Sequence, residues 1–259
     1  MESKIIHAWP VFAEGVKVWI LNWKKLAAIY LLVYFPALIL NFILLSRGGR
    51  VDFLWFTIIV IRWLLDALVV VSLIYALKQY FSSGPVGSAT SNIKSGKNFL
   101  LFYLLTNVLF GLITGTITFI GIIAGGIFVS LIWKTASIGV GLVLTTIAII
   151  TCIVGVVYFL IRLSLSGFAC VLDDLNPILA LKQSHSLIKK YVTFTVAEYC
   201  LFFLAAFVSF VPLILLGLRK GQLSDTAAIF YQFAINAFII PAWACVSVVM
   251  YKKLKEANS

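Results

Sequence analysis

The sequence predicts an all-α fold: a polytopic membrane bundle of six transmembrane helices with amphipathic interfacial helices. Composition is the first reason. Hydrophobic residues make up 63% of the chain and charged residues 11%, whereas a water-soluble domain carries about 25% charged residues. Mean hydropathy is +1.11. The second reason is length: the apolar residues fall in six continuous runs, each near the roughly 20 residues needed to cross a hydrocarbon core about 30 Å thick. The third is backbone chemistry. Unpaired N–H and C=O groups cannot sit in lipid, so spans are helices or closed barrels. Barrel strands alternate apolar and polar residues, and these runs do not.

The expected spans are 26–46, 53–77, 99–123, 138–161, 191–218 and 227–251, within one integral membrane domain over 1–259. Six crossings put both termini on one side. Fourteen of the twenty Lys and Arg residues fall on that side, five on the other (Arg47, Arg50, Lys134, Arg219, Lys220), and Arg62 lies within a span. The positive-inside rule then makes the first side cytoplasmic. The net charge of +11 belongs at span ends, facing anionic lipid headgroups rather than nucleic acid.

Ahead of the first span, Trp9, Phe12, Val16, Trp19, Ile20 and Trp23 share one helical face, with Glu14, Lys17, Lys24 and Lys25 off it. Such a face suits a helix lying in the cytoplasmic interface; a stripe packed on the bundle's cytoplasmic ends is the alternative. The first 25 residues hold no apolar core followed by a cleavage site, so insertion is expected to rely on the spans.

Within span two, Arg62 and Asp66 stand one turn apart. An ionisable residue near a span centre costs roughly 2.5–3.5 kcal/mol on insertion scales and is a functional candidate. The pair reads either as a self-neutralising i,i+4 tie, the preferred reading, or as part of a substrate or proton pathway. Residues 82–98, rich in Gly, Ser and Lys, read as the main flexible loop. Span three carries Gly111-x-x-x-Gly115 and Gly121-x-x-x-Gly125, small-residue spacings that let helices approach closely in lipid. Packing within the monomer is expected, with a homodimer seam as the alternative. The apolar patch at 127–133 reads as a connection dipping into the outer interface.

Arg162 closes span four, and Glu198 lies two turns into span five from the same side, so a cross-helix Arg162–Glu198 tie is expected. Asp173 and Asp174 are expected to support the start of the next helix, where acids favour the dipole. Asn176-Pro177 suits its cap and first residue. Ile178, Leu181, His185 and Ile188 would form the apolar stripe of a second amphipathic element. Ala76-Leu77-Lys78-Gln79 and Ala180-Leu181-Lys182-Gln183 form a faint internal echo. Pro36, Pro212 and Pro241 are expected to kink their spans.

No catalytic motif emerges. His7 and His185 lack partners at metal or triad spacing, and Cys152, Cys170, Cys200 and Cys245 read as small packing residues. No cofactor or metal is expected.

The stretch from Arg162 to Ser184 resembles the membrane domain attached to some glycerophosphoryl diester phosphodiesterases, and its stand-alone six-span bacterial relatives. The matching positions are Arg162, Asp173 or Asp174, Ala180, Leu181 and Ser184. His185 stands where the family often has Trp, and Asp where Glu is commoner. The resemblance implies a six-span bundle and a bacterial inner-membrane address. The phosphodiesterase barrel is a separate soluble domain for which these spans leave no room, so that activity is not implied. The expectation is a non-enzymatic scaffold or regulator of envelope or lipid processes, with membrane-protein partners or a second copy. The alternative is a small-solute or lipid transporter using Arg62, Asp66, Arg162 and Glu198.

Overall fold

The computed structural model describes residues 7–46, 53–135, 138–218 and 225–258. Eight helices follow in order: α1 (Ala8–Ser46), α2 (Phe53–Ser83), α3 (Ala89–Thr135), α4 (Ile138–Leu163), α5 (Ser166–Leu172), α6 (Pro177–Lys189), α7 (Val192–Leu218) and α8 (Asp225–Asn258), with no strand among the described residues. The expected all-α polytopic bundle is what the chain forms. Five of the helices are long and apolar enough to cross a bilayer. The α6–α7 pair, bent by 98°, makes a sixth when counted as one span. Arg47, Arg50, Arg219 and Lys220, expected on the outer side, lie outside the described residues.

Several helices run further than the sequence led us to expect. The segment before span one does not turn away from it: α1 is a single helix of 39 residues, about 58 Å at 1.5 Å per residue. Pro10 occupies its first turn, where a missing N–H costs nothing, and no Pro or Gly interrupts 16–35. The flexible loop expected over 82–98 shrinks to 84–88, because Ser88 caps α3 by accepting the Ser91 N–H at 3.3 Å. Asn92 is wholly buried there. Gly96 is a packing residue, where an added Cβ would meet Ser72 Cα at 2.9 Å. The 127–133 patch continues α3 instead of dipping into an interface. Pro36 and Pro241 likewise lie inside continuous helices.

The antiparallel α1–α8 pair is the most extensive helix contact in the molecule. At Gly15 a Cβ would lie 2.6 Å from Val246 Cα, so the two backbones nearly touch. Further along, Trp23 stacks on Phe238 at 6.0 Å, Tyr30 meets Phe233 at 5.7 Å and Phe42 meets Phe230 at 5.3 Å. Glu14 pairs with Lys253 at 3.4 Å, which brings the first and last helical turns to the same end of the bundle. The face of α1 that is buried carries Val11, Gly15, Val18, Leu26, Ile29, Tyr30 and Val33, not the aromatic stripe, and Trp9 remains 66% exposed.

Burial is concentrated at that end. Residues 67–77, 163–171, 180–188 and 244–254 supply most of the core. The α3–α4 hairpin, by contrast, exposes Leu112, Phe119, Ile122, Ile147, Ile153 and Val154. The small-residue motifs belong to this open part. A Cβ at Gly111 or Gly115 would meet nothing within 4 Å, so the expected packing of that motif against another helix of the monomer does not occur.

Gly15→Ala should lower the thermal midpoint of the detergent-purified protein, at a cost on the order of 1–3 kcal/mol for overpacking. Gly111→Ala, which enters open space, should leave the midpoint unchanged or slightly raised. Equal midpoints for the two variants would contradict the close α1–α8 approach.

Candidate functional site

The residues of the Arg162–Ser184 stretch meet in one knot at the densely packed end. α4 ends at Leu163, and the α4–α5 turn is clamped by Ser184 from α6. Its hydroxyl donates to the Arg162 carbonyl at 2.9 Å and accepts the Leu165 N–H at 3.2 Å. Ala180 and Leu181 are buried beneath it. Asn176 caps α6 as its sequence predicts, accepting the Leu179 N–H at 3.0 Å, with Pro177 in the first turn. The stripe on α6 is shifted from the expected one. Ala180, Leu181, Ser184, Leu187 and Ile188 face inward, while Ile178 is 60% exposed.

Asp173 and Asp174 do not start α6. Asp173 is the C-cap residue of α5, and Asp174 follows with a positive φ of 54°, a conformation Asp tolerates better than most residues. This reversal turns the two carboxylates toward different helices. Asp173 Oδ2 accepts from Gln183 Nε2 at 2.7 Å, Tyr251 Oη at 2.7 Å and Lys255 Nζ at 2.8 Å. Asp174 takes Lys78 Nζ at 2.7 Å, and that ammonium also donates to the Val171 carbonyl at 3.0 Å. Burial alone would raise the Asp173 pKa; the Lys255 ammonium and the Tyr251 and Gln183 donors outweigh it and hold the carboxyl below its ordinary value. The two similar tetrapeptides use different positions here: Lys78, the third residue of one, reaches Asp174, and Gln183, the fourth of the other, reaches Asp173.

The intramembrane charges are arranged differently from the expected ties. Arg62 does not close on Asp66. Its Nε donates to Tyr34 Oη at 3.0 Å and its Nη1 to Asn41 Oδ1 at 3.3 Å. Asp66 is turned toward the same Tyr34 hydroxyl. The result is a polar link between α1 and α2, whose Tyr34 and Asn41 the sequence reading missed. Polar residues at 34 and 41, two turns apart on an otherwise apolar span, were the signal available.

Arg162 and Glu198 are also unpaired with each other. Arg162, 7% exposed, donates to Tyr158 Oη at 2.8 Å and approaches the His185 carbonyl at 3.5 Å. Adjacent residues on a helix point about 100° apart, and Tyr199 is held toward the α4–α5 turn by Ser164 at 2.8 Å. Glu198 therefore faces α1 instead. It is 1% exposed and lies against the Phe12 backbone amide, yet neither carboxylate oxygen has a hydrogen-bond partner of normal geometry.

An apolar cavity of about 320 Å³ lies between α1, α7 and α8. Phe12, Val16 and Trp19 line it from α1, Phe202, Ala205 and Ala206 from α7, and Phe238, Ile239, Ala242 and Val246 from α8. Phe12 and Trp19 of the N-terminal stripe thus face a cavity, whereas Trp9 and Trp23 do not line it. Among the cysteines, Cys170 and Cys245 are buried as packing residues, whereas Cys200 is exposed. Among the described residues no three His, Cys, Asp or Glu side chains gather at metal-binding distance. No protein-family model, curated protein or solved structure matches this chain.

Asp173→Asn should destabilise the protein by about 1–3 kcal/mol at neutral pH, the usual range for hydrogen bonds to a charged group. The native carboxyl titrates below its unfolded value, so its contribution is present above the ordinary carboxylate range and lost as pH falls through the folded pKa. Thermal midpoints of parent and variant, followed downward from pH 7, should converge only below about pH 4. Convergence at pH 6 would contradict this assignment.

Proposed function

We propose that this chain is a multi-pass protein of a bacterial inner membrane, with both termini cytoplasmic, acting without catalysis as a scaffold or regulator of envelope or lipid processes. The observation that supports it best is the use made of the charged side chains at the basic end. Lys78, Lys255, Asp173 and Asp174 join α2, the α5–α6 turn and α8, and Glu14–Lys253 joins α1 to α8. These groups brace one end of the bundle. A braced end whose remaining lysines face outward suits contact with anionic headgroups and with membrane-protein partners. The similarity of the Arg162–Ser184 stretch to a domain that accompanies a soluble enzyme agrees with a role in holding other activities at the membrane.

Orientation rests on charge and contact together. The Lys-rich ends of α2 and α8 and the start of α1 share one end of the bundle, and that end carries the excess of Lys and Arg. Reporter fusions at Gly87 and at the C-terminus should give cytoplasmic signals, and fusions at Gly49 and Gly221 the opposite. Cytoplasmic signals at Gly49 and Gly221 would reverse the orientation.

Transport is the second reading, favoured by the Arg62–Tyr34–Asp66 group and by Glu198, which keep charge within the spanning helices. Replacing Arg62 and Asp66 by Gln and Asn, singly and together, separates the two. The scaffold reading expects each single change to reduce membrane abundance several-fold and the double change to restore part of it. Normal abundance in every variant, with loss of an uptake or export phenotype, would favour transport. Crosslinking in native membranes should recover reproducible protein partners for the parent chain.

A further inference from the structure

We infer that the outer face of α6, with the last turn of α8 and the adjoining face of α3, binds one anionic phospholipid. The inference rests on the membrane and orientation reading above and deepens it, because it assigns headgroup contact to particular residues.

The attitude of α6 suits that layer. It meets α7 at 98°, so it runs across the spanning direction, as a helix lying among headgroups does. Its inner side, with Ala180, Ser184 and Ile188, faces the core. Two grooves flank its outer side, and Leu179 lines both.

The groove toward α8 holds about 560 Å³ and is basic. Lys182, Gln183 and Ser186 line it from α6, and Lys255 and Asn258 from α8. Among the described residues no acidic side chain lines it. Lys182 is exposed and has no acidic partner among the described residues. Lys255 gives Asp173 one contact, at 2.8 Å; an ammonium has three donors, so it can serve a second anion. The groove toward α3 holds about 480 Å³ and is apolar, with Ile178 and Leu179 set against Leu105, Val108 and Leu109. It opens onto Leu101, Leu105, Val108 and Leu112, which are exposed at helical spacing along α3.

Two ammonium groups joined through one leucine to an apolar track match a molecule with an anionic head and an acyl chain. Free phosphate would use only the first groove, and an uncharged apolar chain only the second. A zwitterionic headgroup would bring an ammonium of its own against Lys182 and Lys255.

The test uses the delipidated full chain in detergent. It is titrated with equal amounts of phosphatidylglycerol and phosphatidylcholine of identical acyl chains, and bound lipid is counted by native mass spectrometry. The parent should retain one phosphatidylglycerol in clear preference. Lys182→Gln should lower that preference about fivefold, the worth of one lysine at an anionic surface. Lys17→Gln, which removes the same charge elsewhere on the basic end, should leave it unchanged. Val108→Trp, which fills the apolar groove and touches no charge, should weaken retention several-fold. Size-exclusion and circular dichroism profiles matching the parent establish that each variant is folded. Equal retention of the two lipids by the parent, or no retention, would overturn the inference. Equal losses in Lys182→Gln and Lys17→Gln would overturn it too, because diffuse charge would then be the cause. Displacement of the lipid by excess glycerophosphate would make the occupant a free phosphate, and a lipid-free dimer mass would make it a second copy. None of these results touches the scaffold reading, which stands on the Arg62 and Asp66 variants and on crosslinking. Failure of those experiments with lipid binding intact would sink that reading alone.

Discussion

Helices that are apolar on every side have little hydrophobic reason to leave lipid for one another, since acyl chains solvate them as well as a neighbouring helix does. What associates them is close backbone packing and polar contact. In this chain both are concentrated at one end. The carboxylates of Asp173 and Asp174, turned apart by a left-handed residue, hold α8 through Tyr251 and Lys255 and α2 through Lys78. Ser184 fastens the preceding turn to α6. Outside that set, α1 is tied to α2 by Arg62 through Tyr34 and Asn41 and to α8 by Glu14 through Lys253.

Glycine supplies the complementary half of the association. Gly15 brings α1 against Val246, Gly96 brings α3 against Ser72, and Gly167 lies under the Tyr103 ring. All three sit near the braced end. Gly111 and Gly115 in mid-α3 have open space around them, and the α3–α4 hairpin exposes large apolar side chains. The protein is therefore graded along its axis. A dense, cross-linked end passes into helices with large exposed apolar faces, and these exposed faces are natural for contact with lipid or with other spanning helices.

The charged residues inside the spans illustrate how far sequence spacing reaches. Arg62 and Asp66, Arg162 and Glu198 were legible as unusual because each stands in an apolar run. Their partners were not. Arg62 reaches across to Tyr34 and Asn41 on another helix, and Tyr199 turns Glu198 away from Arg162 toward α1. Those choices depend on the rotation of each helix about its own axis. The N-terminal aromatic stripe is a similar case. Its periodicity was visible, but whether it met headgroups, a neighbouring helix or a cavity depended on where α7 and α8 came to lie.

By itself, the sequence determined the helical state of the backbone, the long apolar helices suited to a bilayer and the cap of α6. These follow from local quantities: apolar run length, backbone hydrogen-bonding demand and the chemistry of Asn-Pro. It did not reveal where helices continue, because a Gly- and Ser-rich segment can be a loop or, as at Gly96, a surface made for close packing. It did not reveal which face turns inward either. A helix apolar all round carries no moment to mark its buried side. That choice fell to the tertiary structure, through contacts between residues such as Gly15 and Val246 or Lys78 and Asp174, which stand far apart along the chain.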